Sequence, residues 1–498
     1  MAIDCSTSAA KAVVVARNGD VCASGRQPIP LRTPGMDRYE QDPADWWAAV
    51  RAAVDEAVAK VPGDDRRRIA AMCLTHQRET FALLDRDGAA QRPAILWLDS
   101  RAGDQIRRLG SPHVHELSGK QPDTTPALYK IAWIAQNEPS NIEHAERIVD
   151  VHAFLAHRLT GRWVSSTASA DSLGLFDVRR RTWAPELLRL AGLRPSQMPG
   201  LAEPGAPIAP IRPELQHRWG LADGIPLIAG LGDGQAAGLG AAAIRPGIAY
   251  LNVGTSIVCG VHASGCLLGS AYRTLVSGIP GRYVLESVQN SGSVLLNWFR
   301  EELGDPGLGG SVDPDLEREA SAVAPGSEGL ITLPYWNAVQ TPFWNPFARG
   351  AMIGFGSGHT RAHAYRSLME GMAFELCSNL ERMADDLGHP VTELHAMGGG
   401  SRSALWRSIL ADATGLPLIL SSVAEVSAHG AAVLAMAAVG AYPSAEAAAE
   451  GMCHRGERTD PDPGRAAEYR RWHAIQREFY PAVKDMFERI RLTAGPDA

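Results

Sequence analysis

The sequence predicts an α/β protein of two large, similarly built domains facing each other across a cleft. Three observations carry that expectation. At 498 residues the chain is too long for a single hydrophobic core. A unit of strand, hydroxyl-rich turn and strand occurs in each half, once over residues 2–16 and again over 248–261. Between them, the stretch from Pro226 to Ser256 delivers one acid, Asp233, into a bed of glycines, continues as a small-residue helix, and ends a second apolar strand in Gly254-Thr255-Ser256. An Asp at a strand end with no neighbouring acid or Lys is a candidate general base. The Gly-Thr-Ser turn offers backbone N–H groups and hydroxyls to an anion. A base and an anion cradle in one unit point to phosphoryl transfer.

Composition narrows the class. Apolar residues make up 45% and charged ones 21%, the balance of a water-soluble globular enzyme. A net charge of −7 argues against nucleic acid or an anionic membrane as the main partner. The 7 cysteines are scattered, odd in number and free of any C-x-x-C pair, so reduced thiols and a cytoplasmic location are expected. The apolar run after Lys11 is too short for an export signal, and no run approaches the roughly 18 apolar residues of a membrane span.

Taken in order, the chain opens with a very short strand, Ala2-Ile3, then Asp4-Cys5-Ser6-Thr7-Ser8, a strand over 12–16, and the Asn18-Gly19 hairpin turn into a third strand. Asp42-Pro43 caps a helix that Pro62-Gly63 stops. Residues 69–74 and 80–84 read as buried strands flanking a loop, Thr75-His76-Gln77-Arg78-Glu79, and 94–97 as a strand ending at Trp97. Helices are expected over 128–136, 151–159 and 185–191, and the Pro-rich run 195–213 as a long connection. In the second half, 293–303 reads as a helix, 304–311 as a loop and 334–346 as an aromatic-rich loop. The clearest helix starts at the Thr360 cap, carries Tyr365, Leu368, Met372 and Leu376 on its apolar stripe, and stops at Gly388. A strand over 393–397, the turn Gly398-Gly399-Gly400-Ser401-Arg402-Ser403, helices over 404–414 and 428–439, a linker at 459–464 and a final docking helix complete the chain. The expected domains are 1–245 and 246–455, with 456–498 as linker and docking helix.

No G-x-x-x-x-G-K-[ST] motif occurs, which excludes a P-loop kinase. The separate pieces instead resemble an FGGY carbohydrate kinase, the group containing xylulokinase and glycerol kinase, over nearly the whole chain. Asp4 to Lys11 resembles the family's first phosphate motif. Glu40-Gln41-Asp42-Pro43 with Trp46-Trp47 is similar to its first helix entry. Arg92-Pro93-Ala94-Ile95-Leu96-Trp97 and Leu159-Thr160-Gly161 look like xylulokinase landmarks. Met369-Glu370-Gly371-Met372-Ala373-Phe374 resembles the second family pattern, and Gly398-Gly399-Gly400-Ser401 the adenosine turn.

The resemblance implies two actin-like, ribonuclease-H-like domains, with ATP and a small sugar or polyol as ligands and Mg²⁺ as cofactor. It implies Asp233 as the base acting on the sugar hydroxyl and Asp4 as the residue holding Mg²⁺ through water. Thr7, Ser8 and Lys11 would line the phosphate path, with Gly254 and Thr255 opposite. Asn297, Gly399 and Ser403 would lie near the nucleotide, and Gln77, Arg78, Glu79 and Trp97 would face the sugar. The family usually has Gly where Ser6 stands. Gln77-Arg78-Glu79-Thr80 is glycerol-kinase-like, although the Tyr that contacts glycerol in that subgroup is replaced near Thr125.

Most landmarks favour a ketopentose such as D-xylulose, and the Arg-Glu pair favours glycerol or a tetritol. Because Glu79 and Asp233 repel anions, an uncharged acceptor is expected. A different class, an actin- or chaperone-like ATPase that hydrolyses ATP without a small-molecule acceptor, or an inactive sugar-binding regulator, fits the same architecture. His76, His363 and His429 read as structural, and a homodimer is the assembly to test.

Overall fold

The computed structural model describes residues 1–304 and 313–494, and two large mixed sheets form its frame. The first sheet holds β1 (Ala2–Cys5), β2 (Ala9–Val15), β3 (Val21–Pro28), β4 (Met72–His76), β5 (Pro207–Pro210) and β6 (Pro226–Gly232), in the spatial order β3-β2-β1-β4-β6-β5. The second holds β7 (Ile248–Val253), β8 (Ile257–Ala263), β9 (Arg273–Val276), β10 (Tyr283–Gln289), β11 (Glu393–Met397), β12 (Leu418–Ser421) and β13 (Arg455–Thr459). Its order is β9-β10-β8-β7-β11-β12-β13.

The two sheets share one pattern of strand directions. In the first, β3/β2 and β2/β1 are antiparallel, β1/β4 and β4/β6 parallel, and β6/β5 antiparallel. In the second, β10/β8 and β8/β7 are antiparallel, β7/β11 and β11/β12 parallel, and β12/β13 antiparallel. The duplication expected from two short turns therefore extends through six strands of each sheet, with β9 added at the edge of the second.

The central strands are buried on both faces, which explains their continuous apolar runs rather than alternation. The expected short first strand is longer: Ala2 to Cys5 are each paired with β2 on one side and β4 on the other. The Pro-rich connection over 195–213 also differs, because it contains β5 and a short strand at Gly200–Ala202. β5 sits at the sheet edge, where prolines cost no ladder bond. The expected strand over 94–97 keeps only Ala94–Ile95.

Helix α1 (Pro43–Ala59) begins as expected, with the Asp42 carboxylate accepting from the Ala44 N–H. The short α2 (Asp233–Gly240) follows β6, α3 (Ser293–Glu302) follows β10, and the loop expected over 304–311 lies, beyond its first residue, outside the described residues. The long α4 (Arg361–Leu387) ends at Gly388, whose φ of +72° is left-handed. After it come α5 (Ala404–Thr414), α6 (Val426–Ala438) and α7 (Pro463–Ala494). α7 docks as expected, burying Tyr469 against Phe374 of α4.

α6 follows the second sheet in sequence, yet its Ala428, Ala431 and Ala432 share a core with Ala2, Val13, Cys73 and Ile228 of the first. It crosses α2 at backbone distance. A Cβ on Gly430 would lie 1.9 Å from the Ala236 carbonyl oxygen, and one on Gly240 would lie 2.0 Å from that of Val426. The small residues of both helices are what permit this approach. Among the described residues all the cysteines are free, and no helix is long and apolar enough to cross a membrane.

Candidate active site

The turn expected to meet phosphate first is the β1–β2 connection. Asp4 and Lys11 are register partners in that antiparallel pair, and the Ser6 hydroxyl and N–H both donate to the Ala9 carbonyl, closing the turn. Asp4 is buried, and its Oδ1 has no hydrogen-bond partner. Desolvation pushes its carboxyl up to about 7, against the opposing pull of Lys11. A buried, unsatisfied carboxylate oxygen fits a hard divalent cation. Among the described residues no group of three or more His, Cys, Asp or Glu side chains is arranged to hold a metal. Mg²⁺ at Asp4 would thus take most of its ligands from water and phosphate oxygens, as this ion usually does.

The second turn lies between β7 and β8. The Gly292 N–H donates to the Thr255 carbonyl and the Ser293 N–H to that of Gly254, so the start of α3 braces the Gly-Thr-Ser turn. β11 runs parallel to β7 and brings the triple-glycine turn alongside. There Gly398 has φ +89°, and a Cβ on it would come 2.5 Å from the Asn252 Oδ1. Gly399 instead faces open space. Ser403 caps α5, accepting from the Trp406 N–H at 3.1 Å, and donates to Glu317. The Asn297 side chain accepts from Arg300. The triple-glycine turn thus lies against the end of β7, where the Gly254-Thr255-Ser256 turn begins.

Thr7, expected on the phosphate path, is bonded on its other side. Its hydroxyl donates to Gln77 Oε1 at 3.1 Å and accepts from Trp97 Nε1 at 2.9 Å, which ties it to the acceptor loop. Ser8 is exposed at the turn, and Lys11 turns towards Glu425, 2.6 Å away.

Asp233 is the first residue of α2, where β6 ends. Its Oδ1 accepts from the Gly234 N–H at 2.9 Å and lies 3.3 Å from Arg78 Nε, while 39% of the side chain remains exposed. Desolvation raises its pKa and Arg78 opposes the rise, the direction that suits a base working near neutral pH. Glycines flank it for a steric reason. A Cβ on Gly232 would strike the Arg78 side chain at 2.4 Å, and one on Gly234 would meet Glu286 Oε2 at 2.5 Å.

Arg78 and Glu79 are not a surface pair. Arg78 Nη1 lies 2.9 Å from Glu286 Oε1, and Arg273 bridges Glu79 at 2.6 Å and Glu286 at 3.0 Å. All four are buried. Burial alone would lower the Arg78 pKa, but Glu286, Glu79 and Asp233 more than offset it, so the guanidinium stays charged. Arg78 and Arg273 likewise outweigh desolvation at Glu286 and hold its carboxyl below the usual range. Lys120 and Asp171 approach from the same side. The Lys120 ammonium donates to the Thr274 carbonyl, and Asp171 accepts from the Val276 N–H at 2.7 Å.

Sequence reasoning missed Arg273, Glu286, Lys120 and Asp171. The available signal was a charge inside an otherwise apolar buried strand, as in Leu285-Glu286-Ser287-Val288. His76 is structural as expected, bonded to the Gln77 carbonyl and to Ser169.

Residues 1–240 match the N-terminal domain of the FGGY family of carbohydrate kinases, and residues 249–439 match its C-terminal domain. Over 96% of this chain and 97% of the relative, the sequence is 31% identical to a glycerol kinase of Dechloromonas aromatica. It is 26% identical to a gluconokinase of Bacillus subtilis over 94% of this chain and 93% of that one. A solved xylulose kinase from Rhodospirillum rubrum superposes with a TM-score of 0.91 at 27% identity, covering 98% of this chain and 99% of its own. With both domain matches in chain order and this fold beneath them, the chain belongs to the FGGY family of carbohydrate kinases.

Proposed function

We propose that this kinase transfers the γ-phosphoryl group of ATP to a hydroxyl of a small, uncharged polyol or keto sugar bound at Asp233, Arg78 and Glu79. A ketopentose such as D-xylulose heads the order of candidates, and glycerol or a tetritol follows. The charge balance of the acceptor end carries the reading. Arg78 and Arg273 are each matched by carboxylates, and Asp233, Glu79, Glu286 and Asp171 stand against these two and Lys120. Such a site has no surplus cation for the carboxylate of a sugar acid, and unmatched buried charge is costly.

In this reading Asp233 accepts the proton of the attacking hydroxyl. Arg78 holds the Asp233 carboxylate in place from one side and the Gly234 N–H from the other. Lys11 neutralises phosphate charge, and the hydroxyl-rich β1–β2 turn and the Gly254-Thr255-Ser256 turn hold the chain of phosphates between the sheets. Mg²⁺ at Asp4 would supply charge neutralisation at the β- and γ-phosphates. Positioning of the two ligands provides most of the acceleration.

The ketopentose stands first because the landmarks outside the acceptor loop resemble xylulokinases. Glycerol or a tetritol stands second because Gln77-Arg78-Glu79-Thr80 resembles glycerol kinases. A site that hydrogen-bonds hydroxyls rejects analogues lacking them by large factors. ADP formation measured over ketopentoses, glycerol, tetritols and sugar acids should therefore show one preferred neutral acceptor. A preference for gluconate or another sugar acid would overturn the charge argument.

A further inference from the structure

We propose that Arg273 and Glu286, from the β9–β10 hairpin of the C-terminal half, are positioning residues that set acceptor specificity by fixing Glu79 and Arg78. The inference rests on the reading above that the acceptor binds at Arg78, Glu79 and Asp233.

The geometry makes the two halves interdependent. Arg78 and Glu79 follow β4 in the first sheet, whereas Arg273 and Glu286 are register partners on the antiparallel β9–β10 pair of the second. Arg273 therefore reaches its own strand partner, Glu286, and Glu79 of the other half together. Glu286 in turn takes Arg78 and the Tyr250 hydroxyl, at 2.9 and 2.6 Å. Three further bonds clamp β9 to the N-terminal half. The Thr274 N–H donates to the Gly119 carbonyl, Lys120 donates to the Thr274 carbonyl, and the Val276 N–H donates to Asp171.

Glu79 also has φ +59°, a left-handed conformation that disfavours side chains other than glycine. Strain of this kind persists where surrounding contacts over-determine it, and such residues cluster at functional sites. The Ser172 hydroxyl accepts from the Glu79 N–H, and Arg273 holds the Glu79 carboxylate. The carboxylate and guanidinium offered to the acceptor are thus aimed by residues that do not themselves belong to the acceptor loop. A guanidinium fork aims two carboxylates at fixed angles, which an ammonium cannot reproduce.

The test uses the full chain with Arg273→Lys, Glu286→Gln and Glu79→Gln, each checked for folding by its melting curve. Arg273→Lys keeps the charge and so avoids the misfolding that truncation invites. Acceptor KM should rise about ten-fold in Arg273→Lys and in Glu286→Gln, the range of coupling seen between contacting groups. The ratio of kcat/KM between acceptors should change with it, while ATP affinity holds within about two-fold. Glu79→Gln combined with Arg273→Lys should be markedly less than multiplicative in KM. Folded Arg273→Lys and Glu286→Gln proteins with unchanged acceptor KM and selectivity would overturn the inference, as would a fall in kcat with selectivity intact. If Glu79→Gln alone leaves acceptor KM unchanged, the acceptor reading itself fails. If Glu79→Gln raises KM and Arg273→Lys does not, only the positioning role fails.

Discussion

The Lys11 ammonium lies 2.6 Å from the Glu425 carboxylate and 4.0 Å from that of Asp4, so the cation of the first phosphate turn is shared between the two halves of the molecule. The Lys11 and Glu425 side chains are partly exposed, at 23% and 39%. A pair of that kind contributes up to about 1 kcal/mol. On the proposed reading, an incoming phosphate competes with Glu425 for Lys11. Glu425→Gln should therefore lower the ATP KM by about two- to five-fold, while Lys11→Ala raises it and leaves the acceptor KM nearly unchanged. Steady-state kinetics with each ligand varied separately checks both.

Asp233→Asn preserves size and can still accept from the Gly234 N–H. It removes the proton acceptor and the charge facing Arg78. Turnover should fall by about 10²- to 10⁴-fold, with nucleotide binding retained in a direct titration. Near-wild-type turnover would remove Asp233 from the role of base.

Asp4→Asn tests the metal reading separately. The amide keeps the size of the side chain but lacks the charge that a divalent cation needs. Activity should fall and its Mg²⁺ dependence should shift to higher concentration. An unchanged Mg²⁺ titration would leave Asp4 as a residue of the turn alone.

The fold was largely legible because its signals are local. Asn18-Gly19, Asp42-Pro43 and the Gly388 stop each act within a few residues, and they mark the elements found there. Asp233 was legible for the same reason, since an acid ending an apolar strand among glycines is unusual chemistry. What escaped was partnership across the chain. Arg78 reads as half of a sequence-local pair with Glu79, but its partner is Glu286 and Glu79's is Arg273. Thr7 reads as a residue of its own turn, and its hydrogen bonds to Gln77 and Trp97 have no local signal. The Pro-rich stretch reads as loop because an edge strand tolerates the residues that a central strand excludes.

Asp171 gives the protein a pH dependence of known sign. It is fully buried, and desolvation pushes its carboxyl up to about 6, with Lys120 opposing. A pKa raised in the folded state means that the fold binds the proton more tightly than the unfolded chain does. The stabilisation is complete below the unfolded value near 4 and is lost as pH rises through about 6. Over that interval it amounts to about 2–4 kcal/mol. Asp171→Asn keeps an acceptor for the Val276 N–H and carries no titrating group. Its melting temperature should accordingly fall less than that of the wild type between pH 4 and pH 6, and parallel curves would contradict the assignment.

Gly430→Ala should both destabilise the protein and slow it. The added Cβ would sit 1.9 Å from the Ala236 carbonyl oxygen, which is backbone and cannot rotate away. Alanine favours an isolated helix over glycine by about 1 kcal/mol. Overpacking at a closed contact costs about 1–3 kcal/mol, so the net effect is loss of stability. The helices cannot simply separate, because Gly240 makes the reciprocal approach to Val426 on the same interface. Relief must come from sliding α2, whose first residue is Asp233, and the Ser427 hydroxyl of α6 is already bonded to the Asp233 carbonyl at 3.1 Å. The displacement is therefore delivered to Asp233, the proposed base, and kcat should fall more than either KM rises. Gly265→Ala, where nothing lies within 4 Å of the added carbon, serves as the control and should stay within about 0.5 kcal/mol of the wild type. Equal stability and turnover in the two variants would show that α2 and α6 yield without moving Asp233.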